Sequence, residues 1–133
     1  MKPNFFILLT LLISGCATTQ TIESTGPRPT NYKQAVKDHV KESFFDPYSI
    51  RDAEISQPLM ASAVFDGVTP IPHSGWIVCF KANAKNRMGG YTGRQLTGLL
   101  FDGESIKTVI GEPTHAVAHH CENAVYETFD TAA

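Results

Sequence analysis

Two hydrophobic periods divide this chain. Tyr32, Ala35, Val36, Val40 and Phe44 recur at helical spacing with His39 on the same stripe, while Lys33, Lys37, Asp38, Lys41 and Glu42 fall on the other side. Spacings of three and four put the first set on one face of an α-helix. Asn31, with Gln34 three residues on, predicts an N-cap completed by a capping box. Pro47 disfavours helical geometry at Asp46, so the helix is expected to stop near Phe45, with a turn over residues 45–49.

Beyond the turn the period changes to two. Residues 50–56 predict a first strand with Ala53 and Ile55 inward; its alternation falters at Asp52, and Gln57-Pro58 ends it. In residues 59–74, a short strand over 60–65 competes with the loop signals Asp66-Gly67, Pro70 and Pro72, and the pattern leaves the two readings open. Residues 76–83 give the clearest strand. Trp76, Val78, Phe80 and Ala82 share one face, Ile77, Cys79, Lys81 and Asn83 the other, and both faces begin apolar, which predicts a central strand covered on two sides. A wide Gly-rich hairpin loop over 86–93, a returning strand over 95–101, a tight turn at Asp102-Gly103 and a last strand over 105–110 complete an antiparallel meander. Gly111-Glu112-Pro113 breaks the sheet. Thr114 then caps a final helix through Phe129, with Val117, Cys121, Ala124, Val125 and Thr128 on one helical stripe, and a strand over 123–129 is the competitor. The expected fold is α+β: an N-terminal amphipathic helix packed on a three- to four-stranded antiparallel sheet, with a short C-terminal helix.

The first fifteen residues stand apart. Lys2 precedes a nine-residue apolar run over 5–13. As a helix that run rises about 14 Å, too short for a bilayer core of roughly 30 Å, and it fits the apolar core of a secretory leader. Ile13-Ser14-Gly15-Cys16 follows, an aliphatic residue and two small ones before a cysteine. This resembles the lipobox of bacterial lipoproteins. The resemblance implies acylation of Cys16 and cleavage before it; the lack of Asp after the cysteine implies the outer membrane, periplasmic face. Residues 16–30, Thr-rich with Gly26, Pro27 and Pro29, then read as a lipidated flexible tether. Its fourteen residues after Cys16 reach at most about 46 Å. Residues 31–133 form the single domain.

Composition narrows the function. The chain is 42% hydrophobic and 18% charged, ordinary for one globular domain. A net charge of -2, which becomes -3 once Lys2 leaves with the leader (-2 minus 1), gives no basic field for nucleic acid. With Cys16 spent on lipid, Cys79 and Cys121 remain, and an even pair in an oxidising compartment predicts a disulfide.

Three constellations bear on chemistry. The hairpin carries Asn83, Lys85, Asn86, Arg87, Tyr91 and Arg94 among three glycines. Side-chain amides, cations and exposed backbone N–H groups suit an anion, a sugar or a peptide terminus, and Tyr91 is placed to stack on a sugar ring. The competing expectation is a plain hairpin whose Asn side chains tie its own backbone together. Gly75-Trp76-Ile77-Val78-Cys79, Asn83-Ala84-Lys85-Asn86 and Gly89-Gly90-Tyr91-Thr92-Gly93 resemble small envelope lipoproteins of proteobacteria, a group without an assigned activity, so the resemblance implies no catalytic residue. His115 and His119 stand four apart beside His120 and Cys121, a spacing that chelates metal on a helix, but Cys121 is better used in the disulfide. No GxSxG elbow and no carboxylate pair stands out. The expectation is a non-enzymatic binding or structural module without cofactor or metal, held to the membrane by its lipid and docking an envelope protein or peptidoglycan. The alternatives are a metal-binding protein or small enzyme using His115 and His119, and an accessory lipoprotein of a secretion or conjugation apparatus. Mass spectrometry without reductant should give a mature mass two hydrogens below that of the dithiol; alkylation of both Cys79 and Cys121 before reduction would contradict the pairing.

Overall fold

The computed structural model describes residues 26–64, 73–111 and 119–132. The expected leader, Cys16, most of the tether, the middle of the 59–74 stretch, Thr114, His115 and Val117 lie outside the described residues.

The helix forms where its stripe predicts it. α1 spans Tyr32–Ser43 and buries Tyr32, Val36 and Val40, one residue per turn. It ends at Phe44, whose backbone turns extended. A 3-10 turn over Pro47–Ser49 then leads into β1, Arg51–Ser56. Five further strands follow: β2 Leu59–Val64, β3 His73–Lys85, β4 Tyr91–Asp102, β5 Ser105–Gly111 and β6 Tyr126–Thr128. All belong to one antiparallel sheet ordered β5-β4-β3-β1-β6, and β2 pairs with β3 in line with β1.

This corrects the α+β expectation of a three- to four-stranded sheet with a C-terminal helix. The described fold is mostly antiparallel sheet, with six strands, one fully described α-helix and a lone 3-10 turn. Two segments account for the difference. Residues 59–64 form β2 because the first half of β3 extends beyond β1 and needs a partner for its ladder; Pro58 sits at the break between β1 and β2, where its missing N–H costs no ladder bond. At the C-terminus residues 119–121 are helical, but 126–128 form a strand on the open edge of β1. Here alternation prevails over helical spacing. Phe129 turns into the core and packs edge-on against Phe80 at 5.9 Å, while Val125, counted on the helical stripe, is 80% exposed. The hairpin loop also tightens, since residues 91–94 belong to β4.

β3 is apolar on both faces because both are covered. On the α1 side, Val78, Phe80 and Ala82 join Leu99, Phe101, Ile55 and Phe129 beneath the helix. On the other side, Ile77 and Cys79 meet Ala61, Leu100, Ile110 and Cys121. Cys79 and Cys121 are bonded across this second layer with Cα atoms 5.8 Å apart, closing 42 positions of chain onto the central strand. Such a loop is worth about 4 kcal/mol in a chain-entropy account.

The sheet has local irregularities. Asp52 has φ 51° and is the extra residue of a β-bulge in β1, which explains the faltering alternation there. Between β1 and β2, the Ser56 hydroxyl accepts the Cys79 N–H at 2.9 Å and donates to Gln57 O. Gly75 lies so close to β4 that a Cβ there would sit 2.5 Å from the Phe101 carbonyl oxygen.

The N-terminal strap is held by long-range contacts. Trp76 Nε1–H donates to Gly26 O at 2.9 Å, and the Arg28 guanidinium bonds Gln57 and lies 5.9 Å from the Trp76 ring. Glu104, in the β4–β5 turn, accepts from the Thr30 N–H, the Thr30 hydroxyl and the Asn31 N–H at 2.8–2.9 Å. The expected capping box is therefore replaced. Asn31 is the N-cap but makes no side-chain cap bond, and Gln34 bonds Asp38 instead. The carboxylate that satisfies the start of α1 comes from 73 residues further along the chain.

These donors lower the Glu104 pKa, the Thr30 N–H first, then the Asn31 N–H and the Thr30 hydroxyl. A depressed folded pKa means that the stabilisation is full above the ordinary glutamate value of about 4.3 and is lost as pH falls through the lower folded value. Glu104→Gln is expected to lower the urea midpoint at pH 7, with the gap to the parent narrowing on acidification below pH ~4; an equal gap at both pH values would show that the charge plays no part.

Candidate functional site

The hairpin end of the sheet gathers most of the sequence-predicted residues, but mostly to build itself. Asn86 Oδ1 accepts the N–H groups of Met88 and Gly90 at 2.9 and 3.1 Å, and Asn83 Oδ1 accepts that of Gly93 at 3.1 Å. Gly89 and Gly93 have φ of 79° and 94°, a region that favours glycine. The Gly89 N–H goes to Asn86 O. Met88, Gly89, Gly90 and Gly93 thus spend their N–H groups within the hairpin and offer none to an anion. The structural alternative for Asn83 and Asn86 is what the geometry shows.

Tyr91 is likewise engaged. Its hydroxyl donates to Ser49 O at 2.8 Å, and the Arg51 guanidinium and Lys85 ammonium lie 4.3 and 5.6 Å from its ring. Ser49 ties the 3-10 turn to the hairpin base by accepting the Lys85 N–H through its hydroxyl. Arg94 forms an ion pair with Glu54 across the sheet. Of the six candidates, Lys85 and Arg87 keep side chains that these interactions leave available to a ligand, Arg87 on the exposed turn beside Met88.

What the structure adds is a cleft of about 370 Å³ on the α1 face, between the end of α1 and the base of the hairpin. Its floor is apolar: Phe80, Ala82 and Ala84 from β3, with Phe44 packed edge-on to Phe80 at 6.2 Å. Phe45 forms a wall and remains 66% exposed. Thr92, Gln95 and Thr97 of β4, with Ser43 and Asn86, supply hydroxyls and amides, and among the described residues Lys85 is the one charged lining residue. An open cleft with an apolar base and a few converging polar groups is the usual form of a small-ligand site. Lys85 also lines a shallower depression with Tyr48, Arg51 and Tyr91, where Tyr48 is 85% exposed.

Sequence reasoning named the hairpin and missed the cleft beside it. A signal was present: period two places Gln95 and Thr97 opposite Ala82 and Phe80, and adjacent Phe44 and Phe45 cannot both enter a helical stripe.

Other surfaces offer less. A groove between α1 and β5 is lined by Asp38, His39 and Glu42 facing Lys107 and Val109. Its strand is blunted, because Lys107 is the extra residue of a bulge against β4. His39 shares a hydrogen bond with Ser43, and burial, only partly offset by Glu42, lowers its pKa. On the opposite face Lys81 stands 3.5 Å from the Tyr126 ring, and the Tyr126 hydroxyl donates to Cys121 O. Burial, then the Glu54 charge, raises the Tyr126 pKa. The histidine spacing is only partly visible, since His115 lies outside the described residues. The His119 and His120 rings are in contact at 5.3 Å, and the His120 pKa is lowered by burial and then by His119. Among the described residues no group of three or more His, Cys, Asp or Glu is arranged to hold a metal ion.

No protein-family model, no curated protein and no solved structure matches the chain.

Asn86→Ala removes two accepted bonds from the turn and is expected to weaken the hairpin by about 1 kcal/mol. Amide exchange at Met88 and Gly90 should accelerate while the core strands stay protected; unchanged exchange at those two amides would remove Asn86 from this role.

Proposed function

We propose that the protein is an outer-membrane lipoprotein facing the periplasm, anchored through acylated Cys16 and serving as a non-enzymatic binding module of the envelope. The observation that carries this is the order of the N-terminal signals: Lys2, a nine-residue apolar run, then Ile13-Ser14-Gly15-Cys16. Two acyl chains, at about 0.8 kcal/mol per buried CH₂, give stable anchoring where one chain does not.

Three structural features support the reading. The buried Cys79–Cys121 bond suits an oxidising compartment. The strap docks residues 26–31 on the domain, so nine residues, 17–25, separate it from Cys16, a distance of at most about 30 Å at ~3.3 Å each. The strap also meets β3 at Trp76, near its start, whereas the cleft and hairpin lie at its far end. A 13-residue strand spans about 40 Å, so a domain held by this strap presents the cleft away from the anchored end.

Detergent-phase partition and intact mass test the anchor. The parent protein should enter the detergent phase and carry the mass of a diacylglyceryl group on Cys16, and Cys16→Ala should lose both. Parent protein recovered in the aqueous phase with no acyl mass would refute the reading.

A further inference from the structure

We propose that the cleft between the end of α1 and the β3–β4 hairpin binds an anionic, N-acetylated amino-sugar strand; this rests on the binding-module reading and names the ligand of that site. Four observations converge on this chemistry. Phe45 stands at the cleft wall 66% exposed, and a large aromatic surface left in water regains free energy when the flat, C–H-rich face of a pyranose covers it. Gln95, Thr92 and Thr97 line the same space with groups that both donate and accept, as sugar hydroxyls and an acetamido group require. Ala82 and Ala84 leave a small apolar floor suited to an acetyl methyl. Among the described residues Lys85 is the charged group lining the cleft and no Asp or Glu lines it, so a ligand carboxylate finds a cation without a competing acid.

The backbone weighs against an extended peptide. Along the cleft β3 and β4 pair with each other, Phe80 with Thr97, Ala82 with Gln95 and Lys85 with Tyr91, so no open ladder is available for strand addition. Nor do the hairpin amides at Met88, Gly90 and Gly93 remain to grip a free phosphate, since Asn86 and Asn83 accept them.

The test uses the mature protein in detergent, titrated with three probes: the disaccharide of N-acetylglucosamine and N-acetylmuramic acid, neutral di-N-acetylchitobiose, and an acidic pentapeptide. Calorimetry and NMR shifts at Ala82 and Ala84 report occupancy. The acidic disaccharide should saturate the cleft and bind several-fold tighter than the neutral one, and Lys85→Ala should erase that difference. Phe45→Ala should weaken both sugars by roughly tenfold, and Val125→Ala, on a remote exposed position, should change neither. Sugar binding that is absent, or that survives Phe45→Ala undiminished, overturns the proposal. So does saturation by the pentapeptide alone, which would make the cleft a peptide site. The acyl mass is measured on the same preparation, so the anchor and the ligand can each fail without the other.

Discussion

β3 has hydrogen-bonded neighbours on both edges and buried side chains on both faces, and every other element is placed by that fact. One edge is taken by β4 over almost its whole length; the other is shared end to end by β2 and β1. Val78 and Phe80 point beneath α1, Ile77 and Cys79 into the layer closed by the C-terminal segment. Val78, Phe80 and Ile77 each contribute about 1.5–3 kcal/mol when removed from water. A half-covered strand would expose one of these sets. The helix and the disulfide-bonded segment are therefore two lids on one strand, and neither is dispensable to it.

Where regular backbone pairing runs out, the chain in four places substitutes one polar side chain. Ser56 covers the handover from β1 to β2, Asn83 the irregular end of β4, Asn86 the turn itself, and Glu104 the open end of the helix. Of these bonds the one from the Cys79 N–H is buried, and a buried N–H without an acceptor costs about 1–3 kcal/mol; the others lie in solvent and fix local geometry. They also explain why the polar run of the hairpin is a poor binding surface. Its amides and glycines are components of the turn, and the space available to a ligand lies one layer back, on the face that Phe45 borders.

Local pattern disclosed those parts of the fold whose causes are local. The alternation of Trp76, Val78, Phe80 and Ala82 against Ile77 and Cys79 specified a central two-sided strand, and the stripe through Tyr32, Val36 and Val40 specified the helix. Where the cause was a distant partner, pattern misled. The helical spacing through Cys121, Ala124 and Val125 gave way to a strand because β1 offered a free edge. Residues 59–64 stood open between a short strand and a loop, and the length of β3 beyond β1 decides for the strand. Asn31 and Gln34 had the form of a capping box, yet a carboxylate from the β4–β5 turn outcompeted it. The candidate site divides in the same way: the hairpin is contiguous and was visible, whereas the cleft joins Phe45, Ala82 and Gln95, which no short window contains.

The docking of residues 26–31 also fixes how the molecule responds to force. Tension applied to the chain ahead of Gly26 does not reach the sheet directly. It is borne first by the Trp76–Gly26 bond and by the three bonds to Glu104, at the opposite end of the sheet from the cleft. If these part, the strap peels from the domain, while the Cys79–Cys121 link keeps the central strand and the C-terminal segment joined. The strap is thus a mechanical fuse, a yielding link that absorbs a pull before the load is carried into the core.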